Sequence, residues 1–129
     1  MRWTYSCPHC SAMLNPDETI VLVAAHGTTR VIMGFHSEPG NYKAYMPPGV
    51  ALESGETWEF SCPLCHASLT SSADPNLCAI DMHTRGQKHR VYFSRTAGEK
   101  ATFVVSENGD VERHGDHADR HSLELLEYV

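Results

Sequence analysis

Five cysteines are the residues of this 129-residue chain whose type and spacing most clearly indicate chemistry. Four of them form two Cys-x-x-Cys pairs, Cys7 with Cys10 and Cys62 with Cys65, whereas Cys78 stands alone. Thiolate sulfur is a preferred ligand of Zn²⁺, and paired Cys-x-x-Cys motifs in an intracellular chain indicate a metal site. The spacing therefore predicts that the four paired cysteines bind one metal ion together, and that Cys78 is a buried free thiol.

The two cysteine pairs lie in segments that repeat each other at a distance of 55 residues. Residues 3–14 read WTYSCPHCSAML, and residues 58–69 read WEFSCPLCHASL. Trp, Ser, both Cys, Pro, Ala and Leu match at the same offsets, and Tyr5 corresponds to Phe60. This self-similarity predicts two copies of one unit, a short aromatic-rich strand that enters a tight turn carrying two thiolates. The proline after the first cysteine of each pair restricts φ and stiffens the turn.

These segments resemble the metal-binding knuckles of the zinc-ribbon and rubredoxin-like families. The resemblance covers residues 3–14 and 58–69, under a fifth of the chain. It implies a site of four cysteine ligands, each pair at the end of a strand or hairpin. Zn²⁺ is the metal that we expect there. Iron is the alternative, because four thiolates also hold iron and the aromatic residues before each pair would shield it as in rubredoxins.

One feature of both segments departs from the family pattern. These families often place glycine after the second cysteine of a knuckle, and this chain has Ser11 and His66 there. A residue with a Cβ atom in a left-handed turn costs about 1–2 kcal/mol. We therefore expect the geometry of these two turns to differ from that of the family.

Two other motifs overlap the cysteine pairs. Residues 7–10, Cys-Pro-His-Cys, look like the active site of oxidising thioredoxin-class enzymes, which require the first cysteine at a helix N-terminus. Pro16 would stop a helix within two turns, and no βαβ pattern surrounds the motif. Residues 62–66, Cys-Pro-Leu-Cys-His, match the c-type haem attachment pattern, but no secretory leader accompanies them. We therefore favour the shared metal site over both.

The rest of the chain predicts a mostly β fold, a rubredoxin-like zinc ribbon continuous with an antiparallel β-meander sheet of about five to seven strands. The predicted strands are Ile20–Ala25, Thr29–Phe35, Leu77–His83, His89–Arg95, Ala101–Ser106 and Asp110–Arg113. Asn108-Gly109 is the strongest hairpin signal, because both residues tolerate positive φ.

We expect one domain with a tail. Residues 1–113 form the zinc-ribbon β domain, with knuckles at 3–14 and 58–69 and a loop insertion at 37–55. Residues 114–129 form a His/Asp-rich linker and a C-terminal docking segment. Three His and two Asp occur within eight residues of this linker, and we interpret them as solvated rather than as a second metal site. The apolar residues that follow are expected to dock on the sheet.

Charge and composition narrow the function. The formal net charge is -6, and the basic residues are scattered, which disfavours a general nucleic-acid binder. The densest basic stretch, residues 85–95, is interpreted as a solvated face rather than a phosphate site. No catalytic constellation is visible, so an enzyme is not expected. The longest apolar run, Ile20–Ala25, is far too short to span a bilayer, and a cytoplasmic protein is predicted.

The loop insertion carries the residues that we predict to contact a protein partner. Tyr42, Tyr45 and Met46 interrupt its Pro/Gly-rich sequence, and Tyr and Met are enriched at interface cores. The competing interpretation is that they pack on the sheet of their own chain. The predicted function is a zinc-binding accessory subunit or protein-interaction module. The alternatives are a rubredoxin-like iron electron carrier and, disfavoured by the acidic charge, a nucleic-acid-binding zinc ribbon.

Overall fold

The computed structural model describes residues 3–118, and these residues form nine β-strands. In chain order the strands are β1 (Thr4–Ser6), β2 (Thr19–His26), β3 (Thr29–His36), β4 (Ala44–Tyr45), β5 (Glu59–Ser61), β6 (Leu77–Thr84), β7 (Gln87–Ser94), β8 (Thr102–Ser106) and β9 (Val111–His114). They build two antiparallel sheets, a five-stranded sheet in the order β1-β6-β7-β8-β9 and a four-stranded sheet in the order β4-β3-β2-β5.

The main core lies between the two sheets. Side chains alternate along a strand, so one face of each sheet supplies every second residue to this core. In β2, for example, Ile20, Leu22 and Ala24 are buried while the residues between them are half-buried. The five-stranded sheet contributes Tyr5, Cys78, Ile80, Met82, Val91 and Val104. A second apolar cluster, which includes Tyr92 and Phe103, lies on the opposite face of the five-stranded sheet. Consequently β6 is buried on both faces along most of its length.

Two hairpins of equal length dominate the sheets. The β2–β3 hairpin and the β6–β7 hairpin each join two strands of eight residues through a two-residue turn. Arg85 and Gly86 both have positive φ, 51° and 74°, as the favoured two-residue hairpin turns require. The hairpins are equivalent halves of a repeat, because each follows one of the two knuckle segments.

The two halves of the chain exchange their knuckle strands. Strand β1, which precedes the first knuckle, pairs with β6 of the second half, and β5, which precedes the second knuckle, pairs with β2 of the first half. The registers are equivalent: Tyr5 is opposite Met82, and its repeat partner Phe60 is opposite Ala24. The chain is thus an internal duplication in which each half completes the sheet of the other.

The same relation holds after the knuckles. The Leu14 N–H donates to the Tyr5 carbonyl at 2.8 Å, and the Val21 N–H donates to the Leu14 carbonyl at 2.8 Å. In the second half Leu69 takes the place of Leu14, with bonds of 2.9 Å to the Phe60 carbonyl and 2.8 Å from the Ala79 N–H. Both leucines are 1% exposed. The repeat extends from Tyr5 to Leu14 in the first half and from Phe60 to Leu69 in the second, because these residues are buried in equivalent positions.

The predicted mostly β fold and the meander from β6 to β9 are confirmed. All six predicted strands occur, and Gly109 turns the last hairpin with a φ of 89°. The arrangement differs from the single sheet of about five to seven strands that we expected. Strands β2 and β3 do not join the meander but form a second sheet with β4 and β5. Hydrophobic patterning locates strands, but it does not specify which strands pair.

The described part of the tail packs on the domain. His114 is the last residue of β9, the His117 N–H donates to the Lys100 carbonyl at 2.9 Å, and Ala118 is buried. Most of the tail, with His121 and the apolar residues expected to dock, lies outside the described residues. Within residues 3–118 no helix is long and apolar enough to cross a bilayer.

The exchanged strands predict that a chain cut between Pro48 and Gly49 stays assembled. These two residues lie in a loop, and no atom lies within 4 Å of the position that a Cβ of Gly49 would take. Each fragment would still hold one strand in the sheet of the other, together with one cysteine pair. We expect the two fragments to co-elute on size exclusion at micromolar concentration. A cut between Asn108 and Gly109 is the comparison, because among the described residues its C-terminal piece contributes only β9 to a sheet and carries no cysteine. Separation of the first pair without denaturant would contradict the exchange.

Candidate metal centre

Each cysteine pair sits on a turn closed by two backbone hydrogen bonds. In the first turn the Cys7 N–H donates to the Ala12 carbonyl at 2.9 Å, and the Ser11 N–H donates to the Cys7 carbonyl at 2.9 Å. The equivalent bonds around Cys62 measure 3.1 and 3.0 Å. The two turns therefore have the same backbone hydrogen-bond pattern, and each presents two sulfurs at the end of a short strand.

The residue after the second cysteine of each pair adopts the left-handed conformation in spite of its side chain. Ser11 and His66 both have a φ of 64°, which is the left-handed conformation that glycine adopts most readily. The backbone thus keeps the turn and accepts a strain of about 1–2 kcal/mol at each position. Both side chains are exposed, so neither requires a cavity in the protein.

The four paired cysteines converge on one point, and this is the metal site that the sequence predicts. All four sulfurs lie within 4.8 Å of one another. The distance is 3.7 Å from Cys7 Sγ to Cys65 Sγ and 3.7 Å from Cys10 Sγ to Cys62 Sγ. A tetrahedral site with metal–sulfur bonds of about 2.3 Å has sulfur–sulfur edges of about 3.8 Å. The donor set and its spacing therefore fit a tetrahedral thiolate-bound ion.

Each knuckle supplies one buried and one exposed ligand. Cys7 and Cys62, the first cysteine of each pair, are buried, whereas Cys10 and Cys65 are exposed. The first knuckle extends from a strand of the five-stranded sheet and the second from a strand of the four-stranded sheet. A metal ion bound here would cross-link the two sheets at the protein surface.

Backbone N–H groups face the two buried sulfurs. The His9 N–H lies 3.3 Å from Cys7 Sγ, and the Leu64 and Cys65 N–H groups lie 3.4 and 3.5 Å from Cys62 Sγ. Burial raises the pKa of the Cys62 thiol, but these two N–H groups and the neighbouring thiols outweigh it and lower the pKa to about 7. Burial raises the pKa of Cys7 instead. Cys62 is therefore the thiol of this pair that deprotonates more readily, and a divalent cation bound among the sulfurs would favour deprotonation of all four.

Cys78 lies apart from this cluster. It is completely buried in β6, and it does not belong to the group of four cysteines that fits a metal ion. Burial raises its pKa to about 12, and the nearby Arg95 lowers it only in part. The side chain is therefore a protonated core thiol, in agreement with the sequence-based interpretation.

The basic stretch and the predicted partner residues lie elsewhere. Asp81 forms an ion pair with Arg90, whose Nε lies 2.8 Å from Asp81 Oδ1. The Lys88 ammonium lies 3.7 Å from Asp81 Oδ2. Both cations are thus engaged by a buried carboxylate of the protein itself. The Tyr42 hydroxyl bonds to Thr102 Oγ1 at 2.9 Å, so this tyrosine is tied to β8.

Comparison with protein-family models, curated proteins and solved structures finds no match to this chain. The likeness to zinc ribbons consequently rests on the two knuckle motifs and on the convergence of their four sulfurs. What the site supports directly is metal binding by four cysteines in a β-rich fold.

Replacing Cys62 with Ser should release the metal. In small domains the free energy of metal binding contributes to folding, so release of the ion should lower the free energy of unfolding by several kcal/mol, on the order of the whole stability of such a domain. Metal content by elemental analysis and thermal unfolding measure the two effects. The control is Cys78→Ala, which removes a buried thiol of the same kind and should retain one metal per chain. An unchanged metal content in Cys62→Ser would refute the shared site.

Proposed function

We propose that this protein is a zinc-binding accessory protein in which the metal has a structural role. The observation that carries the proposal is the convergence of two thiolates from each sheet within 4.8 Å. Four protein ligands fill a tetrahedral site and leave no open position for a substrate, which is the pattern of structural rather than catalytic zinc. Because each sheet supplies half of the ligands, the ion would contribute to the packing of one sheet on the other.

A reducing compartment such as the cytoplasm suits this role. Cys10 and Cys65 are exposed, and an oxidising environment would favour disulfides between such thiols over metal binding. The net charge of -6 argues against the alternative of a nucleic-acid-binding ribbon, because phosphate contacts require a basic face.

The identity of the metal separates the zinc proposal from the iron electron carrier. Elemental analysis of untagged protein should give one zinc per chain. The absorption spectrum should show no band above about 350 nm, because Zn²⁺ has a filled d shell. Removal of the ion with a chelator should lower the melting temperature, because metal binding is coupled to folding. One iron per chain with the red absorption of ferric thiolate would instead support the electron carrier and overturn the structural zinc.

The partner-binding surface that we propose includes the exposed face of the four-stranded sheet. Tyr45 and Met46 are 44% and 37% exposed, and Ile32 on β3 is 59% exposed. Tyr45 pairs with Gly34, so its side chain shares a sheet face with Ile32, two residues away. The exposed isoleucine and tyrosine form an apolar patch, and the exposed Met46 follows Tyr45 directly in the chain; tyrosine and methionine are enriched at interface cores.

Tyr42 has a different role from the other two loop residues. Its hydroxyl contacts Thr102 Oγ1 at 2.9 Å and donates to the His114 carbonyl at 3.2 Å. These bonds fasten the loop insertion to β8 and β9, which gives the exposed residues a stiff base and lowers the ordering cost of binding. We therefore assign Tyr45, Met46 and Ile32 to the contact and Tyr42 to its support.

Two variants distinguish residues that contact the partner from the residue that anchors the loop insertion. The double change Ile32→Thr with Tyr45→Thr keeps strand-forming residues and should leave the melting temperature within about 2 °C, because exposed substitutions rarely exceed 0.5 kcal/mol. It should abolish co-purification of a partner from an extract of the native cells. Tyr42→Phe removes two hydrogen bonds and should lower the melting temperature by about 4 °C while the partner is retained. If the same proteins co-purify with the double variant as with the native chain, the proposed partner-binding surface is wrong.

A further inference from the structure

A cavity lies between the two sheets, and none of the four clustered cysteines lines it. Its volume is about 250 Å³, and apolar side chains of both sheets form its walls. They include Ile20, Leu22 and Phe35 from the four-stranded sheet and Ile80, Val91 and Phe93 from the five-stranded sheet. Protein interiors are close-packed, and few voids exceed one water molecule. A dry apolar cavity of about 150 Å³ binds benzene in other proteins, so this space accommodates a ring with a short substituent.

One of the residues that line the cavity, Trp58, has a buried hydrogen-bond donor for which the described residues offer no partner. Trp58 lines the cavity and is 2% exposed, and its indole Nε1 is buried without a hydrogen-bond partner among the described residues. The Tyr5 hydroxyl, another polar group of the wall, donates to the Ser37 carbonyl at 2.6 Å. An unpaired buried N–H is costly, and proteins rarely retain one without a ligand or water that accepts from it.

The charged residues that line the cavity belong to two segments, 36–44 and 94–102, which we call its mouth. They are Glu38, Lys43, Arg95, Glu99 and Lys100. Arg95 donates to the carbonyls of Trp58 and Pro75 at 2.9 and 2.7 Å, so its charge is engaged. The remaining charges of the mouth are two carboxylates and two ammonium groups. The side chains between the two sheets are apolar, so an ionised ligand buried there would lose its hydration.

We propose that this cavity binds a small neutral aromatic molecule whose carbonyl or similar acceptor takes the indole N–H of Trp58. Phe60 stands edge-on to Phe35 and Phe93, with ring centroids 5.5 and 5.7 Å apart, so the wall offers the geometry in which aromatic rings attract one another. None of the four clustered cysteines lines the cavity, so the proposed ligand site and the metal site use different residues.

Three probes test the ligand chemistry on the full-length, metal-loaded protein. Acetophenone carries a ring and one carbonyl, ethylbenzene has a similar shape without an acceptor, and benzoate has acceptors but is ionised. Two-dimensional NMR of ¹⁵N-labelled protein follows the indole N–H signals of Trp3 and Trp58, which single Trp→Phe variants assign. We expect a saturable shift of the Trp58 signal with acetophenone, an affinity for ethylbenzene about three- to tenfold weaker, and the weakest binding for benzoate. No saturable shift with acetophenone, or equal affinity for the first two probes, would overturn the proposal.

Matched variants test the assigned donor. Trp58→Phe keeps an aromatic ring and removes the N–H, so the preference for acetophenone over ethylbenzene should fall to a ratio of about one. Trp3→Phe makes the same change at the equivalent position of the repeat, which does not line the cavity, and should keep the preference. A preference that survives in Trp58→Phe would overturn the role of this indole. The comparison of the three probes uses the native sequence, so it stands if a variant does not fold.

Discussion

The exchange of one strand between the two halves of the chain is the constraint on which the rest of the structure depends. Because β1 completes the sheet of the second half and β5 completes the sheet of the first, neither half has a complete sheet without the other. The same exchange carries one cysteine pair to each sheet and brings both pairs to one point. The packing that buries the apolar faces of the two sheets therefore also brings the four sulfurs together, so metal binding would favour the same arrangement as hydrophobic burial.

The internal repeat explains why two strained backbone positions, Ser11 and His66, occur 55 residues apart. Ser11 and His66 hold a left-handed conformation that costs each of them free energy, and they do so at equivalent positions. A strained backbone conformation persists when the surrounding structure requires it. Here each turn must direct its two sulfurs toward the same point as the other turn. The buried Leu14 and Leu69, one turn further along, anchor the chain on the other side of each knuckle.

The two halves differ where the chain departs from the repeat. The first half adds the loop insertion and β4, and the second half adds β8 and β9. The cavity lies under these additions, since the segments that form its mouth, 36–44 and 94–102, follow the two hairpins. Trp3 and Trp58 illustrate the result: they are equivalent in sequence, but only Trp58 is enclosed in the cavity wall. The four clustered cysteines thus belong to the repeated segments, whereas the loop insertion, β8 and β9 lie outside the repeat.

The sequence by itself determined the four ligands, the two knuckles, the positions of six strands and the free Cys78, because each of these depends on spacing or local periodicity. It did not determine that β2 and β3 leave the meander for a second sheet, since strand pairing depends on contacts between residues distant in the chain. Nor did it predict the left-handed Ser11 and His66, whose conformation is imposed by the turn against their own preference. The unpartnered indole of Trp58 has no sequence signature at all. A cavity is the space left between side chains from two sheets, so only the tertiary structure decides whether it exists and which polar atom it encloses.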